Sequence, residues 1–305
     1  MTVATARLSP SANTKGQDVK VDIFHLDQLP DAMEKMGWKV APQLMRHWFS
    51  INPEYRFTNN IREQLIAGDA RLIPNERVND TIVKMAWARP FIEDKLQELM
   101  STWNSSAGIG LLRKRLEHAG YFPNLCVPLG MSDSARVLDA TAHVNTIRVG
   151  GLWNTIDDWY GAIGNASLKL AVSGYSDIHQ ERPVFFVKRV GAYLKDTYDF
   201  VDRNTITSEP LGIWSKNRVL TKTESTLYLA SYNAAVTLGA YGILAHNWSG
   251  FVPVFNSDFR DWQDKHNAGG DFIVFSDVLW LDPLPHQRVI YLPDYHHDSA
   301  LQDYT

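Results

Sequence analysis

The spacing of apolar residues changes once along this chain, near residue 121, and that change constrains the fold most. Between residues 30 and 120, apolar side chains recur every three to four residues, as in FIEDKLQELMSTW (91–103), which is typical of helices. After residue 121, apolar and polar residues alternate, as in residues 135–151, 159–177 and 183–195, which is typical of strands. Because regular helices do not separate these strands, the pattern favours an antiparallel sheet. We expect an α+β fold with a helical N-terminal half packed on an antiparallel β-rich C-terminal half.

The same change divides the chain into parts of different character. Two helices are predicted inside the β-rich part, one within residues 222–245 and one in SDFRDWQDKHN (257–267). Within the helical part, Pro90 predicts the end of one helix and the start of the next. The predicted division is a mobile leader at 1–20, a helical region at 21–120, an antiparallel β-rich region with two inserted helices at 121–292, and a polar tail at 293–305.

Charge and composition exclude several classes of protein. The formal net charge of −4 and the lack of a Lys/Arg cluster argue against a nucleic-acid partner. The single cysteine, Cys126, excludes an intramolecular disulfide, and its apolar surroundings (NLCVPLG) predict a small buried side chain. The N-terminus has no apolar run typical of a signal peptide, and no segment suggests a transmembrane span. We therefore expect a protein that is cytoplasmic in the producing cell and that reaches any target cell without a signal peptide.

Carboxylates are the residues that cluster in a way suited to chemistry. The hydrolase and metalloprotease signatures G-x-S-x-G and H-E-x-x-H are absent, as are paired C-x-x-C motifs. In contrast, Asp196-x-Tyr198-Asp199 follows a predicted strand, and Asp271 opens another. Grouped acids can bind a hard divalent cation such as Mg²⁺ or Ca²⁺, or they can divide the roles of general acid and general base.

The spacing of Asp196 and Asp199 leaves two interpretations open. In an extended strand, residues i and i+3 point to opposite faces about 10 Å apart, so the two carboxylates converge only if the chain bends near Thr197. Alternatively, Asp199 and Asp202 simply cap the following polar loop through Asx turns.

The segment HNAGGDF also has two interpretations. His266 stands at a predicted helix C-terminus, and Gly269 and Gly270 permit a positive φ angle before Asp271 enters its strand. This arrangement suits either a catalytic histidine beside a carboxylate or an ordinary helix stop.

Four segments carry a resemblance to a known family. GGLWNTIDDWYGAIGNASLKLAV (150–172), VGAYLKDTYDFVD (190–202), EPLGIWS (209–215) and DFRDWQDKHNAGGDFIVFSDV (258–278) resemble an uncharacterised proteobacterial family that carries a domain of unknown function. Some members are associated with type VI secretion spike loci. The resemblance implies a role in competition between bacteria, with a secretion-system spike or adaptor protein and an immunity protein as partners.

The element Asp196-x-Tyr198-Asp199 is also similar to the D-x-Y-D element of colicin M-type toxins. Those toxins cleave the undecaprenyl-pyrophosphate precursor of peptidoglycan and need a divalent cation. In the toxins a His-Arg pair follows after five residues, whereas this chain has Thr205-Ile206 there.

These observations lead to a first hypothesis, an antibacterial effector that hydrolyses a phosphate ester of the cell envelope with the help of a cation. Asp196, Asp199 and Asp271 are the predicted metal ligands, with the first two also able to activate water. Tyr198 is predicted to position a phosphate oxygen, and His266 to protonate the leaving group.

Two further hypotheses do not involve catalysis. In one, the protein is an adaptor or structural partner of a secretion-system component, with Trp38, Trp48 and Trp87 as exposed anchors. In the other, the apolar segment 227–245 disrupts membranes.

Overall fold

The chain is described here by a computed structural model that covers most of the sequence. It describes residues 24–53, 56–68, 73–123, 125–151, 156–202, 208–238 and 247–292. The predicted leader (1–20) and the predicted tail (293–305) lie outside these ranges.

Helices dominate the N-terminal part, as the apolar spacing predicts. The Thr58 hydroxyl accepts a hydrogen bond from the backbone N–H of Ile61, and the Ser105 hydroxyl accepts one from Gly108, so each residue caps the helix that follows it. The helices are α1 (Leu29–Lys35), α2 (Ala41–Ser50), α3 (Asn59–Ala67), α4 (Met85–Thr102) and α5 (Ser106–His118), with short 3₁₀ turns at Leu26–Gln28 and Asn75–Arg77.

Pro90 does not separate two helices, which corrects the sequence-based prediction. It lies inside α4, which continues for three more turns. A proline removes one backbone N–H and crowds the carbonyl four residues earlier. Here burial of Met85 and Ala88 before it, and of Ile92 and Leu96 after it, holds both parts of α4 on the core.

The β-rich part contains four helices among its described residues, and two of them were not predicted. The predicted pair is present as α8 (Lys222–Leu238) and α9 (Asn256–His266), and the additional helices are α6 (Ala135–Thr141) and α7 (Asp158–Ala162). The side chains of Ser134 and Asp157 cap the additional helices by accepting hydrogen bonds from the backbone N–H three positions on. The strands expected from residues 135 and 159 therefore begin later. A 3₁₀ turn, Pro285–Gln287, follows.

A long hairpin forms the centre of the sheet. Its strands are joined by a two-residue turn in which Gln180 and Glu181 both have positive φ angles, 50° and 62°. Such a turn follows the right-handed twist of paired strands. The strands of the structure are β1 (Val78–Asn79), β2 (Pro128–Leu129), β3 (His143–Gly150), β4 (Asn165–His179), β5 (Arg182–Tyr198), β6 (Pro210–Trp214), β7 (Val252–Phe255), β8 (Phe272–Phe275), β9 (Leu279–Leu281) and β10 (Val289–Tyr291), with β4 and β5 as the hairpin.

The sheet is antiparallel except at one edge. Along one side of β5 lie β8, β9 and β10 in turn, and along the far side of β4 lie β3 and β2. The short strand β1, which comes from the helical region, adds to β8 in parallel. The strands β6 and β7 form a separate antiparallel pair. This arrangement confirms the α+β fold, with helices mainly in the N-terminal half and strands mainly in the C-terminal half.

One core joins the helices to the sheet. Its fully buried side chains include Trp48 and Trp103 from the helical part and Phe185 and Phe272 from the strands. Trp38 and Trp48 are both buried, so the expectation that they are exposed anchors is wrong. Cys126 is exposed, which corrects the prediction of a buried side chain.

A buried charge cluster ties α6 to the central hairpin. The Asp139 carboxylate lies 2.5 Å from Nζ of Lys169 and 2.6 Å from Nζ of Lys195, and it accepts a hydrogen bond from the Tyr193 hydroxyl. Burial, together with the positive charge of Lys169, lowers the pKa of the neighbouring His143 to about 3. One carboxylate thus holds two ammonium groups and a hydroxyl in the core, which gives the cluster a structural role.

Candidate active site

The residues Asp196 to Asp199 lie in a cavity at the end of β5, which we name the DTYD pocket. Its volume is about 210 Å³. Helices α1, α2, α3, α7 and α9, the strands β4 and β6 and the adjoining loops contribute the rest of its wall. The lining residues are Leu29, Met33, Trp38, Met45, Arg62, Tyr160, Gly161, Ala162, Ile163, Gly164, Asn165, Asp196, Thr197, Tyr198, Asp199, Phe200, Leu211, Trp214 and Phe259.

Contacts between α7 and the start of α2 fix one wall of the DTYD pocket. The Asp158 carboxylate accepts hydrogen bonds from the backbone N–H groups of Lys39, Val40 and Ala41 at 2.8–3.0 Å, the usual arrangement of an acid at a helix N-terminus. Gly161 allows the ring of Trp38 to approach closely, because a Cβ atom there would lie only 2.7 Å from that ring. The wall therefore depends on a residue without a side chain.

Asp196 is a half-buried strand residue that lines the DTYD pocket. It pairs with Val274 of β8 in a regular register, and its Oδ1 accepts a hydrogen bond of 2.8 Å from the backbone N–H of Thr197. Burial raises the pKa of Asp196 well above its usual value, although the hydrogen bond from the Thr197 N–H opposes that rise. The charge of Asp199 raises this pKa further, and the charge of Arg62 has a smaller opposing effect. This environment favours the protonated acid, which can donate a proton.

Asp199 differs from Asp196 in having a cation within ion-pair distance. Its side chain is 2% exposed, and its Oδ2 lies 3.6 Å from Nε of Arg62 without a hydrogen bond. Burial raises the pKa of Asp199, and the charge of Arg62 is the largest effect that opposes the rise. The Arg62 guanidinium thus favours the ionised form of this second carboxyl group, which can accept a proton.

Tyr198 presents a buried hydroxyl between the two acids in sequence. Its ring stacks on Phe272 with the ring centroids 5.1 Å apart, and its hydroxyl has no hydrogen-bond partner among the described residues. Burial raises the pKa of Tyr198. Because buried tyrosine hydroxyls usually find a partner, this unsatisfied hydroxyl is an exception at the end of β5.

The two aspartates share a pocket without a bend at Thr197. The pairing between β5 and β8 stays regular from Lys195 to Tyr198, where the strand ends. The chain turns one residue later, and Oδ1 of Asp199 stabilises that turn by accepting a hydrogen bond of 3.0 Å from the backbone N–H of Val201. This is the Asx turn of the alternative interpretation. It occupies only one oxygen of Asp199, so the turn and a functional role are compatible.

Asp271 is not in the DTYD pocket. It is fully buried, and its two oxygens accept hydrogen bonds from the Trp48 indole, the Phe57 backbone and both terminal nitrogens of Arg260. Four donors surround the two oxygens, and Gly269, with φ +88°, packs directly on the Trp48 ring. The contacts present assign Asp271 to the packing of α2 against α9.

His266 lines a different cavity, of about 500 Å³, between α9, β7 and the chain near residue 25. Its ring stacks on Trp262 with the centroids 4.5 Å apart. The structure therefore brings Asp196, Tyr198 and Asp199 together and leaves His266 and Asp271 elsewhere.

The site offers few ligands for a metal ion. Within the described part of the chain, no group of three or more His, Cys, Asp and Glu side chains is arranged to hold a cation. Asp196 and Asp199 could still supply two carboxylates, with water and a substrate phosphate completing the shell, as is common for Mg²⁺. The predicted divalent cation remains a prediction.

The pocket residue that sequence reasoning missed is Arg62. It lies on α3, more than 130 positions from Asp199, and an arginine on a helix carries no signal of its own. Only the structure brings Arg62 and Asp199 together at the end of the sheet.

The sequence of the chain matches the family of unknown function DUF6402 over residues 24–291. The chain belongs to that family. No curated protein and no solved structure shows significant similarity to this DUF6402 protein. The match spans every described helix and strand of the structure, including all residues of the DTYD pocket.

Proposed function

We propose that this DUF6402 protein is a hydrolase in which Asp196 is the general acid and Asp199 is the general base. The observation that carries the proposal is that two carboxyl groups share one pocket while Arg62 lies within ion-pair distance of only one of them. Paired acids whose environments differ in this way divide the proton-donating and proton-accepting roles. His266 lies in another cavity, so the role of proton donor passes to Asp196 in this proposal.

The proposed reaction uses only groups that line the pocket. Asp199 removes a proton from a water molecule, and the water oxygen attacks the electrophilic atom of the substrate. The bond to the leaving oxygen breaks, and Asp196 donates its proton to that oxygen. The Tyr198 hydroxyl donates a hydrogen bond to the oxygen that gains negative charge. Asp199 then releases its proton to solvent and Asp196 takes up a proton from solvent, which restores the starting state.

The proposed substrate is a phosphate ester of the bacterial cell envelope. The resemblance to proteins of type VI secretion loci, and the similarity of Asp196-x-Tyr198-Asp199 to colicin M-type toxins, support this choice. The protein then acts as an antibacterial effector that leaves the producing cell without a signal peptide, through a spike or adaptor protein, and is neutralised by an immunity protein. Alternatively, a Mg²⁺ or Ca²⁺ ion held by the ionised forms of Asp196 and Asp199 would supply charge neutralisation for the phosphate, in which case Asp196 would not serve as the proton donor.

Growth of a bacterial host tests this proposal. The protein is produced in the cytoplasm or, with an added signal peptide, in the periplasm, and each form is compared with an Asp196→Asn/Asp199→Asn variant. Asp94→Asn, an exposed acid of α4, is the matched control. We expect lysis only from the periplasm, abolished in the double variant and retained in the control. Lysis that survives the double substitution contradicts the proposal, as does a lack of toxicity in both compartments.

Calorimetric titration with Mg²⁺ and with Ca²⁺ tests the cation separately. We expect binding to the wild type and none to an Asp196→Ala/Asp199→Ala variant. Equal binding to both would remove the cation from the proposed mechanism.

One observation favours a second candidate function, a non-enzymatic adaptor for a secretion-system component. Helix α8 projects apolar side chains into solvent, and of its residues with described side chains only Tyr228 is buried. No charged residue follows Glu224 in α8. The exposed apolar residues are Leu227, Leu229, Tyr232 and Val236. Such a helix suits a protein partner, since isolated apolar helix faces are rarely left uncovered.

Co-expression with the product of a neighbouring secretion gene tests the adaptor function. A complex that forms with the wild type and is lost in a Leu229→Glu/Val236→Glu variant supports it, with Lys222→Glu as a control on the same helix. No complex with the wild type would exclude that partner.

The membrane-disrupting hypothesis concerned residues 227–245, of which 239–245 lie outside the described residues. Among the described helices, none has the length and apolar character needed to cross a membrane.

A further inference from the structure

A second cavity adjoins the DTYD pocket and shares Arg62 with it. Its volume is about 360 Å³, and we name it the Arg148 pocket. It lies between α3 and the exposed residue Arg148 of β3. Its lining residues are Asn59, Arg62, Glu63, Ile66 and Arg148.

The charges of the Arg148 pocket favour an anion. Two guanidinium groups face one carboxylate, that of Glu63, so the lining carries a net positive charge. Arg148 forms no ion pair with any residue that the structure describes, although its charge is close enough to act on Asp196. A solvent-exposed arginine without a partner in a concave site is well suited to bind phosphate or carboxylate.

The geometry of Arg62 also leaves room for an anion. The side chain is 21% exposed, and its contact with Asp199 is made through Nε at 3.6 Å. Across the described ranges, this ion pair is the one interaction formed by the Arg62 guanidinium. Its two terminal nitrogens are therefore free to bind an anion in the bidentate manner typical of arginine.

We propose that the Arg148 pocket is an anion subsite, in which Arg62 and Arg148 bind a further phosphate or carboxylate group of the ligand whose phosphate ester reacts in the DTYD pocket. This inference rests on the proposed function for the role of the DTYD pocket. The shared residue Arg62 places the bound anion next to Asp199, so the reacting bond of the ligand lies close to its charged group.

Calorimetric titration of the full chain with inorganic phosphate and with acetate tests the subsite. We expect Arg148→Gln to weaken binding of the preferred anion by about ten- to a hundredfold, the range expected for one lost charge-assisted hydrogen bond of about 1.5–3 kcal/mol. The matched control is Arg182→Gln, because Arg182 is also an exposed strand arginine but lies about 46 Å along β5 from Asp196. Tighter binding of phosphate assigns the subsite to a phosphate group, and tighter binding of acetate assigns it to a carboxylate.

Two outcomes overturn the inference. One is no binding of either anion to the wild type, and the other is equal binding to the wild type and Arg148→Gln. Thermal unfolding of Arg148→Gln checks that the variant is folded. The Asp196→Asn/Asp199→Asn variant separates this test from that of the proposed function, since it is expected to lose activity and keep anion binding. If the double variant loses activity but the wild type binds neither anion, the hydrolase proposal is retained and the anion subsite is excluded.

Discussion

The Nε atom of Arg62 lies 3.6 Å from Oδ2 of Asp199, and this contact distinguishes the two acids of the DTYD pocket. Asp196 lies three residues away in the same pocket, but among the described residues its carboxyl group accepts a hydrogen bond only from the backbone N–H of Thr197. Burial raises the pKa of both carboxyl groups, and for Asp199 the cation opposes that rise most strongly. The difference between acid and base in our account therefore depends on Arg62.

Replacing Asp196 with Asn is expected to stabilise the folded protein at neutral pH while it removes activity. The folded-state pKa of Asp196 is raised above its unfolded value. Asp196 therefore contributes its full share to the stability of the wild type only below the unfolded pKa of about 3.9. This contribution to stability is lost as the pH rises through the folded-state pKa, because ionisation of Asp196 inside the pocket is unfavourable. Asparagine has no such ionisation.

Urea denaturation of both proteins over a pH series measures this difference. We expect the advantage of Asp196→Asn to be largest at neutral pH and to vanish at low pH. The exposed Asp94→Asn variant is expected to show no such trend. A variant that is less stable than the wild type at neutral pH would contradict the assignment of Asp196 as an acid with a raised pKa.

Replacing Arg62 with Gln is expected to lower activity and to shift its pH dependence. Without the cation the pKa of Asp199 rises further, so the base is ionised only at higher pH. The acidic limb of the pH–rate profile should then move to higher pH, whereas Arg62→Lys should keep part of the wild-type profile because it keeps the charge. An unchanged acidic limb in Arg62→Gln would show that Arg62 does not act on the base.

Replacing Asp271 with Asn tests whether that residue is structural. It leaves Arg260 without its buried bidentate partner, and breaking such a pair costs about 3–5 kcal/mol of unfolding free energy. The control is Asp264→Asn, which removes an exposed ion pair with Arg56 and should cost less than about 1 kcal/mol. Chemical denaturation measures both. If Asp271→Asn instead removes Mg²⁺ or Ca²⁺ binding without loss of stability, Asp271 is a metal ligand as the sequence predicted.

His143 is expected to make the fold sensitive to acid. Its pKa is lowered to about 3 in the folded protein. The unfolded chain therefore binds a proton at this residue near pH 6.5, whereas the folded protein does not. Stability is present above the unfolded pKa and is lost as the pH falls toward 3. At pH 5 the loss from this residue is about 2 kcal/mol.

Comparison of unfolding free energies at neutral pH and at pH values near 5 tests that expectation. The His143→Gln variant should lose less stability on acidification than the wild type. A substitution at the exposed His286 should leave the acid sensitivity unchanged. An equal loss in His143→Gln and in the wild type would show that His143 is not the group that takes up the proton.

The sequence predicted the features that depend on neighbouring residues. The apolar spacing around Phe259 correctly indicated α9, whereas the strand predicted over 183–195 continues to Tyr198, so Asp196 and Tyr198 lie within the strand and not after it. The alternating pattern was a wrong indicator at two places, because Ser134 and Asp157 cap helices where strands were predicted.

Features that depend on distant residues could not be predicted. Asp271 and His266 are close to one another in sequence, and that proximity suggested a shared site. In the structure Arg260 and Trp48 engage Asp271, while His266 turns to Trp262 in a separate cavity. Conversely, Arg62 reaches Asp199 only because α3 packs on β5.

Titration of the Asp196 and Asp199 carboxyl groups in the folded protein, by carbon NMR over a pH series, tests the central claim most directly. We predict that both groups titrate above the usual value of about 3.9 and that Asp196 loses its proton at a higher pH than Asp199. In Arg62→Gln the pH at which Asp199 titrates should rise. Titration of both groups near the usual value, or of Asp199 above Asp196, would contradict the division of acid and base roles between them.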